Sequence, residues 1–221
     1  MTSGHPVLSP VDIQRLSAVL DRSRALGFLG PGPVVVHIDL ALDLVTTVSS
    51  LAPTTVLDLG SGGGVPGLVL ALALPRVTFT LLDAAERRTR FLAEAVVDLD
   101  LGTRAVVRCE RAEVAGRDPA LRHHFDVVVA RSFGPPATTA ECAAPFLGPG
   151  GHLVVTEPPE DGSRWPADGV AQLGLRQVDV DRDPHHETNV AVLRAVEPCP
   201  ERFPRRNGVP AKRPLFVSRE T

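Results

Sequence analysis

A glycine-rich segment followed by a well-spaced aspartate is the strongest chemical signal in this chain of 221 residues. The segment reads Leu57-Asp58-Leu59-Gly60-Ser61-Gly62-Gly63-Gly64-Val65-Pro66-Gly67. Glycines that follow an apolar run let the backbone turn sharply and approach a ligand closely. Asp83 ends the next apolar run, and its carboxylate can accept hydrogen bonds from two ribose hydroxyls at once. The pattern therefore predicts a site for a cofactor that carries a ribose.

Two registers of the glycines predict different cofactors. Gly62-x-Gly64-x-x-Gly67 matches the dinucleotide fingerprint with an acid about 20 residues on, which favours a dehydrogenase. Asp58-x-Gly60-x-Gly62-x-Gly64 is similar to motif I of class I S-adenosylmethionine-dependent methyltransferases, where the acid helps to hold the methionine end of the cofactor. The chain has no tyrosine, which excludes the Tyr/Lys pair of short-chain dehydrogenases, and it lacks the length for a separate catalytic domain. The methyltransferase is the favoured interpretation, with the dehydrogenase as its alternative.

Alternating strand and helix patterns place these residues at one edge of a sheet. Short Val- and Leu-rich runs separated by helical segments are typical of a parallel sheet covered on both faces. The predicted strands are 54–59, 78–83, 105–109, 125–130, 151–156, 176–181 and 189–196. The last two are joined by too few residues for a crossover helix, so they should be antiparallel. We expect an α/β, Rossmann-like class I methyltransferase fold with a seven-stranded, mostly parallel sheet and an antiparallel last strand.

The rest of the chain divides into three predicted parts. Ser9-Pro10 and two apolar stripes predict an N-terminal helical cap over residues 1–50. A methyltransferase core over 51–198 and a basic, Pro/Arg-rich tail over 199–221 follow. Residues 202–219 include six basic and no acidic side chains in a chain of net charge −3, which indicates an anionic partner or, as the alternative, a solvated tail. Pro204, Pro210 and Pro214 should keep the tail extended or looped.

Composition excludes several classes of protein. A content of 43% hydrophobic and 22% charged residues is that of a folded globular chain. The first residues lack the pattern of a signal peptide, and no uninterrupted apolar run is long enough to span a membrane. The three cysteines and the paired histidines have no metal-ligand spacing. We expect a cytoplasmic protein with no membrane partner and no metal.

Five segments share the motifs of one protein family. They are the glycine segment 57–67, Leu81-Leu82-Asp83, Arg111-Ala112-Glu113, Ala130-Arg131-Ser132-Phe133, and a tail that contains Pro204-Arg205-Arg206, Gly208-Val209-Pro210, Lys212 and Pro214-Leu215. The whole chain thereby resembles the bacterial small-subunit rRNA methyltransferase G family, also called glucose-inhibited division protein B. The tail motif is the most specific part of this resemblance.

The resemblance implies a reaction, a cofactor and a set of site residues. The reaction would be methylation of guanine N7 in the decoding-region loop of 16S rRNA, with S-adenosylmethionine as cofactor and the rRNA or the small ribosomal subunit as partner. The implied cofactor contacts are Gly60, Val65, Ala112, Glu113 and Arg131, to which motif I adds Asp58, Gly62 and Gly64, and position adds Asp83. The predicted RNA contacts are Arg205, Arg206, Lys212 and Arg213, whose cations can follow a phosphate backbone. No catalytic acid or base is named, because guanine N7 has an available lone pair.

Three departures from the family pattern keep other functions open. Phe28-Leu29-Gly30 replaces the usual Asn-Leu-Thr, and His37-Ile38-Asp39-Leu40 only approximates a His…Asp-Ser motif. Glu157 and Glu160 follow the fifth strand where the family usually has Lys-Gly, and two carboxylates there would repel RNA unless they point away. The alternatives are a methyltransferase of small molecules and an RNA-binding relative without turnover. Arg131 could contact the cofactor, a flipped base or a phosphate, or pair with a neighbouring acid.

Overall fold

A computed structural model describes residues 8–158, 164–178 and 189–217. Its described strands form one seven-stranded sheet in the order β3-β2-β1-β4-β5-β7-β6. The strands are β1 Thr55–Leu59, β2 Thr78–Asp83, β3 Ala105–Cys109, β4 Phe125–Ala130, β5 Leu147–Glu157, β6 Leu175–Val178 and β7 Asn189–Ala195. The first five are parallel, and β7 is antiparallel to both β5 and β6. The predicted fold class is therefore confirmed.

Strand positions follow the predicted ones closely, with one difference in β5. The sequence predicts that this strand begins at residue 151, but the structure begins β5 at Leu147 and carries it through residues 148–150. The pairing is irregular there, because Phe125 pairs with Leu147 whereas Val127, two residues later, pairs with His152. An irregular register of this kind lets a glycine-rich stretch join the sheet. The predicted end of β6 at residue 181 lies outside the described residues.

Eight helices and one 3-10 turn in the described parts connect and cover the strands. The helices are α1 Pro10–Ala25, α2 Val34–Ser50, α3 Gly67–Ala73, α4 Glu86–Asp98, α5 Ala112–Ala115, α6 Pro136–Ala143, α7 Ala167–Ala171 and α8 Val209–Lys212, and the turn is Ala144–Phe146. Ser9 caps α1 as predicted, since its hydroxyl oxygen accepts from the Asp12 N–H at 3.1 Å. Among the elements that we did not predict, α6 begins at a proline and lies directly beside the site described below.

The N-terminal helices share one core with a face of the sheet. Leu16 and Leu20 of α1 and Leu44 of α2 are fully or almost fully buried, in the same cluster as Val56 and Val127 of the central strands. The predicted cap is thus packed on the sheet, over the strand edge that carries the glycine segment. The three-part division of the chain stays a prediction.

The C-terminal segment is packed on the opposite face rather than extended into solvent. Phe203 and Cys199 belong to the cluster that covers the second face of the sheet. The buried guanidinium of Arg122 donates to the carbonyl oxygens of Cys199 and Phe203, both at 2.9 Å. The expectation of an extended or looped arm is therefore only partly correct. One helical turn, α8, forms around Pro210, because proline is tolerated in the first turn of a helix.

Two searches of the described residues bear on partners. Among the helices of those residues, none has the length and apolar character that crossing a membrane requires. Within the same part of the chain, no group of three or more His, Cys, Asp or Glu side chains is arranged to hold a metal ion.

Candidate cofactor and substrate site

Two adjoining cavities lie at the carboxyl ends of β1, β2 and β4, where open α/β sheets bind ligands. The strand-side cavity has a volume of about 300 Å³ and is lined by Leu59, Gly60, Leu82, Asp83, Ala84, Arg88, Glu110, Arg111, Ala112, Glu113, Ser132, Phe133, Thr138, Cys142 and Ala211. The loop-side cavity has a volume of about 290 Å³ and is lined by Phe28, Leu29, Gly30, His37, Gly60, Ser61, Gly62, Gly63, Val65, Arg88, Arg131 and Ser132. Gly60, Arg88 and Ser132 line both, so one elongated ligand can occupy the two cavities together.

Backbone geometry explains the glycines between β1 and α3. Gly60, Gly62 and Gly64 have φ angles of +75°, +52° and +96°, in the region that side chains disfavour. Position 63 requires glycine for another reason. A Cβ there would lie 2.5 Å from Ser23 Oγ and 2.7 Å from the Phe28 carbonyl oxygen, which is too close. The loop is therefore packed between the cavity on one side and the N-terminal helices on the other.

Asp58 lies beneath this loop and lines neither cavity. Its Oδ2 accepts from the N–H of Gly67 at 3.1 Å, at the start of α3, and Ser61 Oγ donates to its backbone oxygen at 3.0 Å. Oδ1 is buried and has no hydrogen-bond partner among the described residues. Burial raises the pKa of Asp58 to about 7, and the nearby Asp83 adds to the shift, while the hydrogen bonds oppose it. Its geometry is that of a residue that shapes the loop.

Asp83 is the carboxylate that faces the strand-side cavity, with only 6% of its surface exposed. Its Oδ2 accepts from the Gly62 N–H at 2.9 Å and its Oδ1 from the Ala85 N–H at 2.8 Å. Each carboxylate oxygen has two lone pairs, so both retain the capacity to accept a hydroxyl proton. Arg88 lies close by, with Nη1 3.7 Å from Oδ2. Asp83 therefore fits the predicted role and also holds the glycine loop.

Glu113 joins the strand-side cavity to the C-terminal segment. Its Oε1 accepts from the backbone N–H of Gly208 at 2.8 Å and from Arg111 at 3.2 Å. Burial would raise the pKa of Glu113, but the hydrogen bonds from Gly208, its own backbone and Arg111 lower it overall. The Glu113 side chain thus binds the C-terminal segment. It would contact a cofactor as part of the wall of the strand-side cavity, which it forms together with Ala112.

Arg131 reaches the loop-side cavity from the end of β4. Its Nη2 lies 3.1 Å from Nδ1 of His37, and the other ring nitrogen of His37 lies 3.2 Å from the Gly30 carbonyl oxygen. Burial lowers the pKa of Arg131, and its buried Nη1 has no hydrogen-bond partner among the described residues. Among the described residues, Arg131 does not form the ion pair with a neighbouring acid that was the alternative prediction. A cation with a free donor at this cavity fits an anionic or carbonyl group of a ligand.

The structure brings most predicted cofactor residues to the two cavities. Gly60, Asp83, Ala112 and Glu113 line the first, and Gly60, Gly62, Val65 and Arg131 line the second. Asp58 and Gly64 line neither cavity. The sequence analysis missed Arg88, Thr138, Cys142 and Ala211 as lining residues. Only Arg88 had a local signal, since it lies in the first turn of α4, the helix that follows Asp83. The others arrive from α6 and the tail through tertiary packing.

The four predicted RNA residues of the tail are in two different environments. Arg205 binds Glu141 of α6 through its backbone N–H and guanidinium, and also donates to the Arg213 carbonyl oxygen. Arg206, Lys212 and Arg213 have exposed side chains. The structure thus assigns Arg205 to holding the tail on the core, because most of its donors are used within the protein.

Glu157, at the end of β5, is not an isolated negative charge. Its Oε2 lies 3.5 Å from Nη1 of Arg164, and its side chain is only 14% exposed. The expected repulsion of RNA is therefore offset locally at this position. Glu160 lies outside the described residues.

Comparison with known proteins identifies the family of this chain. The family model described as rRNA small subunit methyltransferase G matches residues 34–160. The chain is 39% identical over 172 residues to the Ribosomal RNA small subunit methyltransferase G of Prochlorococcus marinus (strain MIT 9313), with 74% of this chain and 68% of that protein covered. It is 37% identical over 170 residues to the protein of the same name from Thermotoga sp. (strain RQ2), with 73% and 72% covered.

Solved structures support the same fold. An O-methyltransferase from Bacillus cereus, described as a complex with SAH, superposes with a TM-score of 0.58 at 16% identity, covering 83% of this chain and 91% of the other. A methyltransferase from Geobacter sulfurreducens gives a TM-score of 0.58 at 12% identity, covering 82% and 89%. These likenesses show a class I methyltransferase fold, and the antiparallel β7 departs from the all-parallel order of dinucleotide-binding dehydrogenases. With its loop, acid and tail motifs in place, the chain belongs to the rRNA small subunit methyltransferase G family.

Proposed function

We propose that this protein is an S-adenosylmethionine-dependent methyltransferase that modifies guanine N7 in 16S rRNA, within the small ribosomal subunit or its rRNA. The observation that carries the proposal is the pair of cavities that meet at Gly60. The Asp83 carboxylate lies in the wall of one, and the wall of the other contains Arg131, whose Nη1 has no hydrogen-bond partner among the described residues. Membership of the family supports the choice of rRNA over a small molecule.

The residues present fit the cofactor. Asp83 would accept the ribose hydroxyls, and Ala112 with the neighbouring wall would border the adenine in the strand-side cavity. The glycine loop and Val65 would border the methionine part in the loop-side cavity, where Arg131 has a donor that no described residue binds. Asp58 would act indirectly, by holding Gly67 and with it the turn into α3.

The chemistry requires positioning more than proton transfer. The cofactor supplies an electrophilic methyl group on a positively charged sulfur. Guanine N7 has its lone pair available at neutral pH, so no side chain has to remove a proton before attack. The protein must hold N7 in line and exclude water, and orientation of this kind can contribute roughly 7–11 kcal/mol to lowering the barrier. Accordingly, we assign no general acid or base.

The exposed cations of the tail would bind the RNA backbone. Arg206, Lys212 and Arg213 lie on and around α8, whose Ala211 lines the strand-side cavity. Phosphate contacts give salt-dependent affinity because each neutralised phosphate releases counterions. RNA held here would therefore lie next to the cavities rather than at a remote surface.

The test uses small ribosomal subunits that lack N7-methylguanine, incubated with this protein and S-adenosylmethionine that carries a labelled methyl group. We expect label in N7-methylguanine of the 16S rRNA. Naked 16S rRNA in a parallel reaction distinguishes the rRNA from the assembled subunit as substrate. A protein that binds S-adenosylhomocysteine and RNA but transfers no label would refute the proposal and favour a binding role without turnover.

A further inference from the structure

A third cavity, which we call the mouth cavity, adjoins the cofactor cavities at the end of β4 and β5. Its volume is about 270 Å³, and it is lined by Ser132, Phe133, Gly134, Pro136, Thr139, Val155, Thr156, Glu157, Pro158, Arg164 and Trp165. It shares Ser132 and Phe133 with the strand-side cavity and Ser132 with the loop-side cavity. A group bound in the mouth cavity would therefore lie next to a cofactor that occupies the other two.

The lining has the features of a site for a flat, polar ring. Enzymes that modify a base take it out of its stack, place it against aromatic or apolar side chains, and read its Watson–Crick edge by hydrogen bonds. Phe133, Trp165 and Pro158 supply flat apolar surface in this cavity. Glu157 and Arg164 supply an acceptor and a donor side by side, with Oε2 and Nη1 3.5 Å apart.

This order of acceptor and donor is complementary to guanine. The Watson–Crick edge of guanine has two neighbouring donors, N1–H and the N2 amine, beside one acceptor, O6. A carboxylate can accept both donors at once, and a guanidinium can donate to O6. Adenine presents an acceptor at N1 and a donor at N6. The carboxylate would therefore face another acceptor, and the guanidinium would face another donor. Guanine N7 lies on the other edge of the ring and stays free for methyl transfer.

Solvent exposure favours this use of the pair. Glu157 is 14% exposed and Arg164 is 34% exposed, so the carboxylate lies mostly within the cavity wall while the guanidinium can move to meet a ligand.

We propose that Glu157 and Arg164 form the guanine-recognition site of this protein, with Glu157 accepting N1–H and the N2 amine and Arg164 donating to O6. This assignment rests on the function proposed above. It makes Glu157 a specificity-determining residue rather than a repulsive charge at the entrance to the site.

The test measures methylation by the wild-type protein and by a Glu157 variant, each with two different bases at the methylated position. The RNA substrate carries either guanine or inosine at the methylated position, since inosine keeps N7, O6 and N1–H but lacks the N2 amine. With the wild-type protein, kcat/KM for inosine should be about tenfold lower or more, as expected for one lost hydrogen bond to a charged acceptor. In Glu157→Ala, kcat/KM for guanine should fall at least as far, and the preference for guanine over inosine should approach one.

Controls separate recognition from folding and from the proposed function. Glu94→Ala removes an exposed carboxylate on α4, 3.8 Å from Arg22, and should keep both the rate and the preference. Glu157→Ala should bind S-adenosylhomocysteine as the wild type does. Glu157→Gln, which keeps the shape of the side chain but retains only one accepting oxygen, should also lower the preference for guanine. If both Glu157 variants methylate guanine and inosine in the wild-type ratio, the assignment is wrong while the proposed function stands. If the wild-type protein methylates neither RNA, the proposed function fails and the assignment fails with it.

Discussion

Arg205 is bound to Glu141 through three hydrogen bonds, one from its backbone N–H and two from its guanidinium, and Glu141 has no exposed surface. The pair raises the pKa of Arg205, chiefly through the hydrogen bond to Glu141. A buried carboxylate needs its partner, because an unpaired charge in the interior is strongly destabilising. The two arginines at 205 and 206 therefore have different roles, although they are neighbours in the sequence.

These neighbouring arginines allow a matched comparison. Arg205→Ala should lower the free energy of unfolding by about 3 kcal/mol, since it leaves Glu141 without its cation. Arg206→Ala, at an exposed position, should change it by less than about 0.5 kcal/mol. For RNA affinity we expect the opposite order, with the larger effect in Arg206→Ala. This variant should bind RNA more weakly and with a smaller dependence on salt. Urea unfolding and RNA titrations at two salt concentrations measure both effects. Equal stability losses in the two variants would contradict the difference in roles.

Asp83 should be essential for cofactor affinity. Asp83→Ala removes the acceptor proposed for the ribose and the one that holds the Gly62 N–H, so binding of S-adenosylhomocysteine should weaken by roughly 1.5–3 kcal/mol. Calorimetric titration measures this change. Asp98→Ala, at the far end of α4, is the control and should bind normally. An unchanged affinity in Asp83→Ala would remove this carboxylate from the site.

Asp58 should make stability depend on pH near neutrality. Its raised pKa of about 7 means that the folded protein holds this proton more tightly than the unfolded chain, in which the value is 3.8. The resulting stabilisation is complete below about pH 4 and is lost as the pH rises through 7. Asp58→Asn cannot ionise, so its stability relative to the wild type should improve between pH 5 and pH 8.5. The improvement should be at most about 2.7 kcal/mol, because only the two pH units from 5 to the folded pKa of about 7 contribute.

Urea unfolding of the ligand-free protein at the two pH values tests this sign. Asp126→Asn is the contrasting control, because hydrogen bonds from Thr54 and Thr55 outweigh burial and lower the pKa of Asp126. Ionised Asp126 stabilises the folded wild-type protein, and this stabilisation is lost only in acid. Asp126→Asn should therefore be equally destabilised at pH 5 and pH 8.5. A parallel response of both variants to pH would contradict the assignment for Asp58.

The tail should influence cofactor binding, not RNA binding alone. Gly208 donates to Glu113 and has a φ of +75° with open space around it, so Gly208→Ala strains the backbone without a clash. We expect a loss of about 1 kcal/mol in stability and a severalfold weaker affinity for S-adenosylhomocysteine. Gly150→Ala changes a residue with the same φ of +75° near the amino end of β5, away from the carboxyl ends where the cavities lie. This variant should lose stability but keep its affinity. Equal affinities in the two variants would make the tail independent of the cofactor site.

The sequence predicted the strands and the glycine loop because their signals are local. Alternating apolar runs located β2, β3 and β4 to the residue, and Asp83 was identified from its place at the end of a strand. The inward orientation of Arg205 had no such signal, since a basic, proline-rich segment reads the same whether its cations face solvent or a buried Glu141. Phe133 and Arg164 reached the mouth cavity through the packing of distant segments, which no local pattern encodes.

The bond from Ser23 Oγ to the Gly63 carbonyl oxygen, 2.9 Å long and buried, ties α1 to the glycine loop. Helix α1 lines neither cofactor cavity, yet opening it would release the loop that does. Local opening events of this kind are visible as exchange of amide hydrogens with solvent. Ligand bound at the loop should therefore slow deuterium uptake along α1, so that protection spreads into a helix that never touches the ligand.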